Sequence, residues 1–290
     1  MNKVGIIGAG KVGSVLAIAL QREGINVCAV SGGGSDSAKI LADRIGILFC
    51  RDTALVAREV DIILIATPDR EIKNVVNLLK ISGEMRDGQI VFHVCGSQSA
   101  EILAGLRSFG VAVGSIHPLQ SFSSIEAGLK NLGSSYFAID GDEQALVKAK
   151  EFVGKLNGIC MYVPPEDRAL YHAAACMASN YLTALLHSTV TLMKTFGVDE
   201  TKAIKALHPI LQGTLTNIET YGTLQALTGP IVRGDVGTIT QQLQQIDARV
   251  PSQAQLYREL GKYTLAMAKQ RHTLAPEQIV ELEQCFSHLG

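Results

Sequence analysis

Charge of either sign is scarce and balanced in this chain. It has 26 lysines and arginines against 27 aspartates and glutamates, and only 18% of its residues are charged. With a formal net charge of -1 there is no basic excess to attract nucleic acid or an anionic lipid surface, so neither is expected as a partner. No apolar run approaches the roughly 20 residues that a membrane-spanning helix requires. The run Ile62-Ile63-Leu64-Ile65-Ala66 has the length of a buried strand instead. None of the six cysteines (Cys28, Cys50, Cys95, Cys160, Cys176 and Cys285) is paired in a CxxC spacing. They read as small buried thiols in a reducing compartment, not as disulfides or zinc ligands. The seven histidines form no HxxxH or HExxH set, so no metal is expected. Repeats and low-complexity linkers are missing too. The first strand begins near residue 4, which leaves no room for a signal peptide, and the expected location is cytoplasmic.

What the chain has is apolar content, 47% of 290 residues, enough for two well-buried domains. Its most informative stretch is the start. Val4 to Ile7 is an apolar run that leads into Gly8-Ala9-Gly10-Lys11-Val12-Gly13, and a helix-forming segment follows from Ser14. Strand, glycines and helix in that order suit a dinucleotide pyrophosphate. Gly8 makes the tight turn, Gly10 lets the backbone approach the phosphates, and Gly13 lets the helix close on the strand. The helix N-terminus supplies free N–H groups and a positive dipole end.

The first 163 residues alternate short β-branched strands with helical patterns. Strands are predicted at 3–7, 26–30, 47–50, 61–66, 89–94, 112–116, 136–139 and 160–163, with helices at 52–60, 71–81, 99–109 and 143–157. That alternation predicts an α/β fold, a doubly wound parallel Rossmann sheet covered on both faces. From Pro165 onward only helical patterns remain, at 165–196, 199–219, 235–246, 251–269 and 276–289. The expected domains are therefore a dinucleotide-binding domain at 1–163 and an all-α substrate and dimerisation domain at 164–290. The helix 165–196 is apolar on several faces, including Leu182, Leu185, Val190 and Met193, which predicts a homodimer.

The second strand ends at Ser31, where an NAD-binding protein carries an Asp or Glu for the ribose hydroxyls. A serine there, followed by Gly32-Gly33-Gly34 with Ser35 and Ser37, favours NADP(H) over NAD. No arginine follows Ser31 directly, and Lys39 lies a turn inside the next helix. Ligands in such sheets lie beyond the carboxyl ends of the strands. That places Ala66, Thr67 and Pro68, and Cys95 and Gly96, against the cofactor, and Ser97, His117, Gln120 and Ser121 against a small-molecule substrate. His117 is a candidate proton donor or carboxylate anchor, and equally a histidine that satisfies loop backbone. His172, Cys176 and Asn180 stand at i, i+4 and i+8 of the long helix and are expected to share one face. Cys176 and Asn180 would flank a small substrate, or else pack as core and cap. Arg233, in Thr228-Gly229-Pro230-Ile231-Val232-Arg233-Gly234-Asp235, is a candidate for a substrate carboxylate, unless this is a connecting turn with Asp235 as N-cap.

The pattern resembles the oxidoreductases that join a Rossmann domain to a helical one: β-hydroxyacid dehydrogenases, ketopantoate reductases, pyrroline-5-carboxylate reductases and deazaflavin-dependent NADP reductases. More closely it resembles bacterial Rossmann-like proteins with a C-terminal domain of unknown function. The likeness rests on the glycine motif, His117-Pro118-Leu119-Gln120-Ser121-Phe122, Tyr171-His172-Ala173-Ala174-Ala175 through Ser179-Asn180, and Leu227-Thr228-Gly229-Pro230 with Arg233-Gly234-Asp235. It implies a dimeric NADP-dependent reductase, some relatives reducing ketopantoate. In the dehydrogenases and ketopantoate reductases a lysine stands four residues before the asparagine that Asn180 matches, and here that position is Cys176. A thiol is a poor substitute for an ammonium donor. The resemblance then leaves the proton to His172 or His117, or leaves a dinucleotide-binding sensor without turnover. Reduction of a deazaflavin coenzyme or a cyclic imine is a further alternative.

Overall fold

The computed structural model describes residues 2–33 and 36–287. Eight strands form one sheet in the order β3-β2-β1-β4-β5-β6-β7-β8. They are β1 (Lys3–Ile7), β2 (Asn26–Ser31), β3 (Leu48–Phe49), β4 (Ile62–Ile65), β5 (Ile90–His93), β6 (Ala112–Pro118), β7 (Tyr136–Gly141) and β8 (Ile159–Tyr162). Helices α1 (Lys11–Arg22), α2 (Ser37–Ile45), α3 (Thr53–Glu59), α4 (Ile72–Ser82), α5 (Ile125–Asn131) and α6 (Glu143–Lys155) lie between them. The strand order reverses between β1 and β4, the topological switch point outside which ligands bind in this architecture.

Every residue of β4 and β5 is buried, as strands covered on both faces must be. Alternate side chains divide between two cores. Ile62, Leu64 and Phe92 join Val15, Leu16, Leu20 and Phe152 of α1 and α6 on one face. Ile63, Ile65 and Val91 join Val56, Val75 and Leu79 of α3 and α4 on the other. The sheet departs from the expected parallel arrangement at one place, since β7 runs antiparallel to β6. The intervening α5 packs on α1 instead of carrying the chain back across the sheet: a Cβ on Gly128 would come within 2.7 Å of Val15. The chain therefore re-enters beside the end of β6, where the Leu119 N–H donates to the Tyr136 carbonyl at 2.8 Å. The helix expected at 99–109 forms as a 3-10 segment, Ala100–Phe109.

The chain divides into two compact units, Met1–Asn180 and Tyr181–Gly290. This division lies beyond the boundary expected at Pro164, because α7 (Arg168–Cys176) is tied to β6 and β7. The helix expected over 165–196 is interrupted as well. A 3-10 turn, Pro165–Asp167, precedes α7, and a π turn, Met177–Tyr181, separates it from α8 (Leu182–Lys194).

The second unit continues with α9 (Glu200–Gln225), α10 (Val236–Arg249), α11 (Ala254–Lys269) and α12 (Pro276–Ser287). Its core gathers Ile239, Leu243, Leu265, Leu282 and Phe286 from the last three helices. Asp235 is the N-cap of α10, its carboxylate accepting from the Thr238 N–H. In α9 only Ala203 is buried, and Gly222 breaks the helix with φ 76°. Ile204, Ile210 and Leu215 of that helix, with Leu182 and Leu185 of α8, are exposed.

Candidate functional site

The glycine turn has the geometry its sequence requires. Gly8 sits at φ +106°, and a Cβ there would lie 2.6 Å from the Ala66 backbone. A Cβ on Gly13 would lie 2.0 Å from the Gly8 carbonyl oxygen, so α1 closes on the turn only because both residues are glycine. Gly10 is the N-cap of α1 and has nothing within 4 Å of its Cβ direction. The open space in front of Gly10 is where a pyrophosphate fits, while Lys11, Val12 and Gly13 form the first turn of the helix behind it.

A cleft of about 810 Å³ spreads from this turn, lined by Gly8, Ala9, Gly10, Ser31, Thr67 and Pro68 among others. Ala66 also contributes to its wall. The buried hydroxyls of Ser31 and Thr67 have no hydrogen-bond partner among the described residues. Buried polar groups are rarely left unpaired, so two orphan hydroxyls in one cleft wall point to a polar ligand. The residues fit a dinucleotide: a cradle free of side chains, a helix N-terminus, and unpaired hydroxyls on either side of it, Ser31 at the end of β2, where the ribose would lie, and Thr67 after β4. Ser37 also lines the cleft, whereas Gly34 and Ser35 lie outside the described residues.

A polar cluster continues from the cleft along the neighbouring strand ends. Asp69, next to Pro68, accepts from the Ser97 hydroxyl at 3.3 Å, and Ser97 lies 3.2 Å from Cys95 Sγ. Burial, and after it the hydrogen bond with Asp69, pushes the Cys95 thiol pKa up. Gly96 packs so tightly on two rings that a Cβ would meet His172 Cδ2 at 2.7 Å and His117 Nε2 at 2.8 Å. The rings of His117 and His172 lie 6.1 Å apart at 71°. His117 Nδ1 is 2.7 Å from the Tyr171 hydroxyl, and His172 Nδ1 is 3.8 Å from Cys176 Sγ.

Burial, and next the neighbouring His172 and Arg168, pulls the His117 pKa down to about 4. Burial pushes Tyr171 up to about 12. Near neutral pH the pair is a neutral imidazole beside a protonated phenol. The half-buried His172 packs against His117, with the half-buried Cys176 at its Nδ1, while Asn180 is exposed within the π turn. The i→i+5 turn adds a residue between Cys176 and Asn180, so the shared face expected from α-helical spacing does not carry through. Gln120 uses its amide on the Asn131 carbonyl and on Ser135, which folds the loop after β6; Ser121 is exposed beside it. Arg233 belongs to the second unit and is exposed in the turn before α10. All six cysteines are free, but only Cys50 and Cys95 are fully buried.

Three buried residues behind the cluster were not expected from the sequence. His93 accepts from the Cys95 N–H on Nδ1 at 3.2 Å, so its Nε2–H donates to the Ser99 carbonyl at 3.0 Å, and the loop carrying Gly96 is fixed. Asp140 accepts from the Ala100 N–H at 3.1 Å and from Arg168 at 3.0 Å, and Ser115 bridges the two charges. Arg168 in turn lies 6.0 Å from the Tyr171 ring centre. An arginine one turn into a helix pattern carried no signal of burial, since its partner is remote in sequence.

The two depressed histidines make stability pH-dependent. Burial also pulls His93 down to about 4, from an ordinary value of 6.5. Both rings stay neutral in the fold while the unfolded chain takes up protons, so their contribution is complete above pH 6.5 and is lost as pH falls through 4. The loss is on the order of 3 kcal/mol per ring. Urea unfolding at a series of pH values should show the midpoint falling across that window, and a flat profile would contradict the burial of both rings as neutral groups.

Sheet order, switch point and glycine turn together define a Rossmann-like domain. Residues 1–118 match the Rossmann-like domain family, and residues 135–264 match the domain of unknown function family (DUF2520), so the chain joins one to the other. Among solved structures it is similar to BF3122 of Bacteroides fragilis, provisionally named an NADP oxidoreductase, at 21% identity over 91% of this chain and 98% of that one (TM-score 0.76). It is similar to TM1727 of Thermotoga maritima at 26% identity over 93% and 99% (TM-score 0.71). The pyrroline carboxylate reductase of Plasmodium falciparum, solved with NADP bound, is 14% identical over 99% and 98% (TM-score 0.60). The first and third likenesses speak to the fold alone. A comparison with curated protein sequences returns no match.

Proposed function

We propose that this protein is an NADPH-dependent reductase of a small carbonyl acid, with a ketopantoate-like 2-oxo acid as the leading substrate. The observation that carries this reading is the open cradle at Gly10, set in a cleft with unpaired Ser31 and Thr67 hydroxyls. The names of the similar proteins from Bacteroides fragilis and Plasmodium falciparum point the same way. A bound nicotinamide supplies a hydride, and the protein's share is position and charge.

In this reading the Tyr171 hydroxyl, kept protonated, donates to His117 Nδ1. The ring's single proton is then on Nε2, beside Gly96 and His172. A neutral imidazole of this kind polarises a carbonyl oxygen by hydrogen bonding, as a donor that need not itself be an imidazolium. His172, steadied by Cys176, flanks the same oxygen and holds the substrate against it. Cys176 at the position of the family's lysine makes this donor arrangement different from the ammonium one. A cyclic imine is the second reading, favoured by the likeness to pyrroline carboxylate reductase.

Titration of the purified protein with NADPH, followed by nicotinamide fluorescence, tests the cofactor half. Saturable binding, tighter than for NADH, is expected, and no binding of either would refute the reading. We also propose that a second copy covers the exposed apolar residues of α8 and α9. Light scattering should then give about twice the 31.0 kDa chain mass, and a clean monomer would refute this assignment.

A further inference from the structure

We propose that Arg51, in the bend that follows β3 at the edge of the cleft, recognises the 2′-phosphate of the bound cofactor and makes this protein specific for NADPH. The inference rests on the nucleotide-binding reading above and names the residue that discriminates within it. At the end of β2 the dinucleotide fold places either a carboxylate for the ribose hydroxyls or a cationic group for a 2′-phosphate. Here the position holds Ser31, 1% exposed, with its Oγ unpartnered among the described residues. No arginine follows it directly in sequence, but the bend after the neighbouring β3 supplies one.

β3 pairs in parallel with β2, with Val30 opposite Phe49, and the Cys50 N–H donates to the Val30 carbonyl at 2.8 Å. Ser31 is the last residue of β2, and Arg51 follows Cys50 in the bend that leaves β3. Both line the cleft that opens from the glycine turn. Arg51 is exposed and takes part in none of the ion pairs among the described residues.

The carboxylates nearest to it in that cleft wall are already engaged. Asp52 accepts from the Leu55 N–H at 2.9 Å as the N-cap of α3, and Glu71 pairs with Arg70 at 3.6 Å. A guanidinium without a counter-ion, in the wall of the same cleft as a buried hydroxyl without a partner, matches the fork geometry and acceptor oxygens of a phosphate monoester. The pyrophosphate has its own cradle at the N-terminus of α1, so the phosphate left for Arg51 is the one on the adenosine ribose.

Calorimetric titration of the full-length wild type and Arg51→Ala with NADPH, NADH and 2′,5′-ADP tests this. A charge-assisted hydrogen bond of this kind is worth about tenfold to a hundredfold in affinity. Arg51→Ala should lose that much for NADPH and 2′,5′-ADP and stay within about twofold for NADH, with Arg51→Lys in between. Because Arg51 is exposed, the thermal unfolding profile should be unchanged. NADPH binding that survives Arg51→Ala, or an equal loss for NADPH and NADH, would overturn the role of Arg51 while leaving nucleotide binding intact. A wild type that binds none of the three would overturn both.

Discussion

Gly10→Val should abolish NADPH binding and leave the protein folded. The backbone at Gly10 has φ -69° and ψ -174°, which any residue can adopt, and its Cβ direction points into space with no atom within 4 Å. A valine therefore meets only what would occupy that space, the pyrophosphate. Gly13→Ala is the contrasting variant. Its Cβ would lie 2.0 Å from the Gly8 carbonyl oxygen, which the backbone can relieve only by opening α1 away from β1. Overpacking of this kind typically costs about 1–3 kcal/mol, so Gly13→Ala should lower the unfolding midpoint as well as binding. Calorimetry with NADPH alongside thermal unfolding separates the two. Wild-type affinity in Gly10→Val would move the cofactor away from the glycine turn.

His117→Ala should lower kcat by about a hundredfold to ten-thousandfold, the range typical of a group that donates to the reacting atom. KM for NADPH should change little, because His117 lies in the polar cluster and does not line the cleft. Tyr171→Phe should reproduce part of that loss by removing the hydroxyl that fixes the His117 ring. His172→Ala is expected to act mainly on KM for the substrate. The opposite pattern, kcat lost in His172→Ala and kept in His117→Ala, would transfer the donor role to His172.

The β-branched runs made all eight strands legible, and the glycine spacing revealed the turn, because both are local signals. The direction of β7 was not legible, since it depends on α5 packing against Val15 of α1, a contact between segments far apart in sequence. Nor was the π turn at Met177–Tyr181, which no residue type announces and which shifts Asn180 out of the α-helical register. His117 and His172 could be picked out as candidates, but their convergence on Gly96 could not. Arg168 and Asp140 read as ordinary charges on a helix and a strand, yet they form a buried pair with 1% exposure on each side. Arg51 carries no sequence signal of its own, because it stands 20 residues after Ser31 and enters the same cleft from the bend after β3, the strand paired with β2.

The central claim, that this protein reduces a small carbonyl acid with NADPH, is tested most directly by turnover. The full-length protein is incubated with NADPH and a panel of 2-oxo acids, semialdehydes and cyclic imines, and loss of nicotinamide absorbance is followed. Oxidation of NADPH by the 2-oxo acids, slower with NADH and lost in His117→Ala, is the predicted result. NADPH binding with no turnover of any member would contradict the claim and leave a dinucleotide sensor in its place.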